Sequence, residues 1–131
     1  MFIDTSILID IISHKRDSST FQRILDIVKD QPMYISLIQL GEYSDWCYKN
    51  GKDPNEHLRK IKDIANVVTI TEEICLEGSR IKDQQRKIGS KKFSLVDGII
   101  TATARSINSP ILTKDNDFKT LEDAIVFDNF K

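Results

Sequence analysis

Residues 110–118 read Pro-Ile-Leu-Thr-Lys-Asp-Asn-Asp-Phe, and the choice of fold turns on this stretch. Pro110 to Thr113 is short and apolar, the composition of a buried strand. Asp115-Asn116-Asp117 has the composition of a turn, and a short helix is expected to begin near Asp117. A calcium-binding EF-hand loop is excluded, because Thr120 occupies the place that needs glycine and Lys119 the ligand position before it. What is left is a core strand that runs directly into acidic residues. The chain opens in the same way: Met1-Phe2-Ile3 reads as a strand, and Asp4-Thr5-Ser6 follows at once.

Between these ends, strands and helices alternate. A helix is expected through Ile7, Leu8, Ile11 and Ile12, broken by polar residues from Ser13 to Ser19. Thr20 to Lys29 is amphipathic, with Phe21, Ile24, Leu25 and Val28 on one face. Met33 to Ser36 reads as a strand, and Ser36 with Gln39 has capping-box spacing for a helix running to about Asn50. Asp53-Pro54 opens the next helix, with proline at the tolerated first position. Val67 to Ile70 is β-branched and strand-like. Thr71 caps a helix that is acidic at its start and basic at its end, and Gly89 stops it. Ser94 to Ile107 is a helix, and Ala124 to Phe127 the last strand. With no hairpin signal, this order predicts an α/β fold with a central, mostly parallel sheet covered by helices on both faces.

The 131 residues suffice for one domain, here taken as residues 1–131, but not for two cores. Apolar residues make up 40% and charged residues 30%, which argues against a disordered or membrane protein. The longest apolar runs fall far short of bilayer thickness, and Met1-Phe2-Ile3 reads as core strand rather than signal peptide, so a cytoplasmic location is expected. Cys47 and Cys75 lack zinc or disulfide spacing and are expected to be reduced packing residues. His14 and His57 lie in polar helix ends and read as solvated. No Ser/His/Asp or Cys/His set suggests covalent catalysis. The net charge of −1 conceals a basic stretch, Arg80, Lys82, Arg86, Lys87, Lys91 and Lys92, so it does not argue against a nucleic-acid partner.

Four acidic positions sit among residues that ought to be core: Asp4, Glu42, Asp97 and Asp115, with Asp117 behind the last. Each has an ordinary explanation. Asp4 could cap the first helix, although Thr5 could cap it equally well. Glu42 shares a helical stripe with Ile38 and Trp46 and could reach solvent beside Lys49, but the neighbouring mid-helix Gly41 suggests close packing there. Asp97 fits a capping box with Ser94. Taken jointly these explanations weaken. Two carboxylates about 6 Å apart repel by about 3 kcal/mol at an effective dielectric near 20. Folds with typical stabilities of about 5–15 kcal/mol do not gather four for packing reasons. In parallel sheets, sites form beyond the carboxyl ends of strands where strand order reverses, and Asp4 and Asp115 both follow strands.

In order, Asp-Thr-Ser after the first strand, the mid-chain Ser…Glu helix, Ser-Leu-Val-Asp and Thr-Lys-Asp-Asn-Asp-Phe resemble the PIN-domain nucleases, in particular VapC-type toxins, over the whole chain. The resemblance implies a three-layer α/β/α sandwich. Asp4, Glu42, Asp97 and Asp115 would be its catalytic carboxylates around Mg²⁺ or Mn²⁺, with Asp117 a further metal ligand. Ser6 and Thr113 would orient water or carboxylates. The activity implied is metal-dependent hydrolysis of RNA. Arg86, Lys87, Lys91 and Lys92 are candidates for phosphate contacts. A cognate antitoxin and a homodimer are expected partners, with the faces at Ile7 to Ile12 and Phe21 to Val28 open either to docking or to the core. The competing readings are a housekeeping PIN nuclease without an antitoxin and a non-catalytic module that binds RNA or protein and uses metal only for structure. A haloacid-dehalogenase-like phosphatase is discounted, since Ser6 stands where its second aspartate would be.

Overall fold

In the computed structural model, residues 1–13 and 18–127 are described. The elements run β1 (Phe2–Ile3), α1 (Thr5–Ser13), α2 (Ser19–Val28), β2 (Met33–Ser36), α3 (Leu37–Lys49), α4 (Pro54–Ile64) and β3 (Ala65–Val68). They continue with α5 (Glu72–Lys87), α6 (Leu95–Ser106), β4 (Ile111–Thr113), a 3₁₀ turn (Asn116–Phe118) and β5 (Ala124–Val126). The alternation read from sequence is therefore present. His14 and part of the expected break from Ser13 to Ser19 lie outside the described residues.

The sheet order is β3-β2-β1-β4-β5, and every pairing is parallel. The shortest strand, β1, is central, with β2 on one side and β4 on the other. Strand order reverses there, so the expected crevice lies beyond the ends of β1 and β4. Successive strand residues face opposite layers. Ile3, Ile35 and Leu112 pack with Ile7, Leu8, Ile24, Tyr43, Cys47 and Ile61, under α1 to α4. Phe2 and Ile111 pack on the other face with Ile74, Ile81, Phe93, Ile100 and Phe118, under α5, α6 and the 3₁₀ turn. This is the three-layer α/β/α sandwich.

Local signals set most boundaries. Asp53 caps α4 through the Asn55 N–H, Thr71 caps α5 through the Ile74 N–H, and Ser94 caps α6 through the Asp97 N–H. The third strand is displaced from the expected Val67 to Ile70. Its partner β2 ends at Ser36, where α3 begins, so the residue opposite, Val68, is the last with a strand to pair with. Phe21, Ile24 and Val28 are buried, and Ile7 and Leu8 are fully so. The early helical faces thus form core.

Two expectations from composition fail. Cys75 is exposed on α5, while Cys47 packs in the core as expected. His57 is buried rather than solvated, with its Nδ1 3.0 Å from the Tyr43 hydroxyl. One turn before the core residue Ile61, it faces α3, a placement that polar neighbours in sequence do not reveal.

Helices α5 and α6 cross at Gly78 and Gly98. A Cβ on Gly98 would lie 2.1 Å from the Gly78 carbonyl oxygen, and one on Gly78 would lie 2.8 Å from the Ile99 nitrogen. Backbone atoms cannot yield as a flexible side chain can. Gly98→Ala is expected to destabilise the protein by about 2 kcal/mol or more, read as a lower denaturation midpoint in urea. An unchanged midpoint would mean that the two helices separate at this crossing without cost.

Candidate metal centre

Asp4 leaves β1 where the backbone turns into α1, and it is only 7% exposed. Ile3 pairs with Leu112, so the next residues, Asp4 and Thr113, lie side by side. Thr113 Oγ1 donates to Asp4 Oδ2 at 2.7 Å, and Ser6 Oγ donates to the same oxygen at 3.0 Å. The helix start uses the Asp4 carbonyl, which accepts from the Ile7 and Leu8 N–H groups. Its carboxylate is held by hydroxyls instead.

The Thr113 hydroxyl also accepts from the Asp115 N–H at 3.0 Å, and Asp115 Oδ1 accepts from the Asp117 N–H at 2.8 Å. One run of hydrogen bonds therefore joins Asp4 to Asp115 and Asp117. The side chains expected to act as orienting groups, Ser6 and Thr113, are both in it.

Glu42 approaches from α3. Thr5 Oγ1 donates to its Oε1 at 2.7 Å. Gln39, one turn earlier, donates to the Ile3 carbonyl at 2.8 Å and to Thr5 Oγ1 at 3.3 Å, while accepting from the Ser36 N–H at 2.8 Å. The capping glutamine thus ties α3 to the end of β1. Lys49 is paired with Asp45 rather than with Glu42. The argument from Gly41 does not hold: a Cβ there would meet nothing within 4 Å. Glu42 is fixed by Thr5, not by close packing beside it.

Asp97 does two things at once. Its Oδ2 accepts from the Ser94 N–H at 2.9 Å, completing the capping box. It also contributes to a cluster in which one carboxylate oxygen each from Asp97, Asp115 and Asp117 lies within 4.8 Å of the others. Cap and cluster are compatible, because the helix start faces the crevice.

The electrostatics tie the five acids together. Burial pushes the Asp97 carboxyl up to about 6 against the hydrogen bonds from Ser94, and Asp115 and Asp4 push it further. Burial also raises Glu42, opposed by the Thr5 hydroxyl and reinforced by Asp4, Asp97 and Asp115. Asp115 is raised by burial first, with repulsion from Asp117 and Asp4 added. Half-buried carboxylates that repel one another through oxygen donors alone suit a hard divalent cation, which would reverse each of these shifts.

The basic candidates divide. Arg86 Nε donates to the Phe93 carbonyl at 2.8 Å, bracing the loop before α6, and Lys87 pairs with Asp83 at 2.9 Å. Lys91 and Lys92 are exposed and make no ion pair among the described residues. Their loop is close to the cluster, since Ser90 Oγ donates to the Asp117 carbonyl at 2.8 Å. Sequence reasoning missed Thr5 and Ser90, and it read Gln39 only as a cap. A hydroxyl beside Asp4 was a signal for Thr5, whereas nothing local marks Ser90.

A sequence model of the PIN domain matches residues 1–124. The chain belongs to the PIN-domain family. No curated protein sequence matches it. Among solved structures, this PIN domain is similar to a toxin–antitoxin complex from Klebsiella pneumoniae, with a TM-score of 0.73, 23% identity and 95% of each chain covered. It is also similar to VapBC2 of Rickettsia felis bound to a promoter DNA fragment, with a TM-score of 0.73, 17% identity and 96% of each chain covered. A third is VapC20 of Mycobacterium tuberculosis, a sarcin–ricin loop cleaving toxin, with a TM-score of 0.63 and 16% identity over 98% of this chain and 89% of that one. At these identities the likeness is one of fold.

The raised Asp97 carboxyl has a consequence for stability. Unfolded, the group titrates near 3.8, and folded near 6. Between these values the folded state binds more protons, so stability falls as pH rises through the window. In EDTA, Asp97→Asn keeps an oxygen for the Ser94 N–H but no charge. Its stability relative to wild type is expected to improve by about 1–2 kcal/mol between pH 4 and pH 7, a figure discounted for solvent screening. Parallel pH profiles of the two proteins, measured by urea denaturation, would contradict this.

Proposed function

We propose that this PIN domain is a Mg²⁺- or Mn²⁺-dependent endoribonuclease and the toxin of a VapBC-type toxin–antitoxin pair. The observation that carries the reading is the convergence of Asp4, Glu42, Asp97, Asp115 and Asp117 from four separate stretches of chain, with Asp97, Asp115 and Glu42 all raised by burial and mutual repulsion. Asp97, Asp115 and Asp117 would hold the cation, with Asp4 behind them. When bound, the ion would acidify a water, position it and shield charge developing on the phosphate.

The remaining steps belong to the chain's own residues. Thr113 and Ser6 fix one oxygen of Asp4, and so the wall of the pocket. Glu42, oriented by Thr5, would take up a proton from the attacking water. Lys91 and Lys92 contact RNA phosphates, offsetting the repulsion between an acidic pocket and a polyanion. A cytoplasmic location, a cognate antitoxin and a homodimer belong to the same reading. The antitoxin is supported by the likeness in fold to toxin–antitoxin complexes. Among the described residues, no helix is long and apolar enough to cross a membrane.

With Mn²⁺ the purified protein is expected to cut single-stranded RNA, and Asp4→Asn or Asp97→Asn to lower the rate about a hundredfold or more while leaving thermal stability intact or raised. Cleavage that survives both substitutions would overturn the assignment. In the inactive Asp97→Asn background, adding Lys91→Ala and Lys92→Ala is expected to weaken RNA binding and to reduce the slope of log affinity against log salt by roughly 1.4. An unchanged slope, measured by fluorescence anisotropy, would remove these lysines from the interface.

A further inference from the structure

We propose that the buried ion pair between Lys114 and Asp10 is a positioning element for the metal ligands Asp115 and Asp117, a role that rests on the cation reading above. Lys114 Nζ lies 2.6 Å from Asp10 Oδ2, with the two side chains 19% and 7% exposed. In every other ion pair among the described residues, both side chains are at least 33% exposed. The pair is therefore unlike the rest, and burying two charges is costly even when they meet. Bulk stability is a poor reason to keep such a pair.

Its place in the chain supplies a better one. Lys114 stands between Thr113, where β4 ends, and Asp115, where the acidic turn begins. Past Thr113 the sheet ladder no longer holds the backbone, so the turn depends on other tethers. All three consecutive residues are attached to the start of the chain or to one another. Thr113 donates to Asp4, the Lys114 N–H donates to Ser6 Oγ at 3.1 Å, and the Asp115 N–H donates to the Thr113 hydroxyl. The Lys114 ammonium is the one charged tether in this set, and it reaches further along α1, to Asp10. Hydroxyl bonds fix the turn at Asp4 and Ser6, and Ser90 holds the Asp117 carbonyl from the opposite layer. The ion pair adds a charged contact one turn further along α1, which keeps the Asp115 and Asp117 oxygens within reach of Asp97. The pairing of Lys114 with Asp10 also turns its ammonium onto α1 rather than leaving it among the carboxylates it adjoins in sequence.

The test is the Mn²⁺ affinity of the full chain, read from the electron paramagnetic resonance signal of free Mn²⁺ well below the unfolding temperature. Thermal unfolding in EDTA is recorded beside it. Lys114→Met, Asp10→Asn and the neutral double variant are each expected to bind Mn²⁺ about tenfold more weakly while still folded, and Lys114→Arg to stay within about threefold of wild type. The double variant removes both charges of the pair together, so it reports on the tether even if a single variant fails to fold. Wild-type Mn²⁺ affinity in the double variant, with only the unfolding temperature lowered, would reduce the pair to a stability element and overturn the proposal. Asp97→Asn in the same titration separates the two failures. If it binds Mn²⁺ as wild type does, or if wild type binds none, the cation reading itself falls and the positioning role falls with it.

Discussion

The parallel pairing of β1 with β4 is the constraint on which the rest of this molecule depends. β1 is two residues long, and it is held between β2 and β4 at the centre of the sheet. Because Ile3 is in register with Leu112, Asp4 and Thr113 emerge side by side from the same end of the sheet, although 109 residues separate them. A shift of one residue would turn Phe2 and Ile3 to the wrong layers, exchanging the contents of two different cores. Hydrophobic packing on both faces therefore sets the positions of two polar side chains. The core specifies the register, and the register builds the site.

Around that pairing the protein assembles a repulsive object and holds it still. Glu42, Asp97 and Asp115 are raised by burial and by the neighbouring acids, so the folded state carries an unfavourable charge arrangement near neutral pH. Directional contacts offset it locally. Hydroxyls of Thr5, Ser6 and Thr113 donate to carboxylates, Ser94 caps Asp97, and the Asp115 and Asp117 backbone N–H groups close the turn. Nothing buried is left without a partner among the described side chains. These contacts hold the acidic side chains in fixed positions despite their repulsion.

The second layer plays its part through backbone proximity. The Gly78–Gly98 crossing lets α5 and α6 approach closely, and it lies one residue beyond Asp97. The start of α6 is thus located by packing, and its capping box aims Asp97 into the crevice. At the other end of α5, Ser90 carries the basic loop to the carbonyl of Asp117. Cationic loop and acidic turn are consequently one assembly.

Much of this was legible in the residues. Caps at Ser36, Asp53, Thr71 and Ser94 and the two strand-to-acid junctions at Asp4 and Asp115 are local signals, and local signals survive without a fold to interpret them. They determined the order of elements, the α/β class and the acids worth watching, and the family motifs added the expectation that those acids meet. Composition misjudged His57 and Cys75, since which side of a helix meets a neighbour depends on that neighbour. The glycine beside Glu42 suggested packing that does not exist. What only the tertiary structure decided is how distant residues pair: Thr5 with Glu42, Gln39 with the end of β1, Ser90 with Asp117, and Lys114 with Asp10 across 104 positions. Such contacts leave no periodicity and no spacing, because they are fixed by sheet register and helix docking, which arise from the whole core at once.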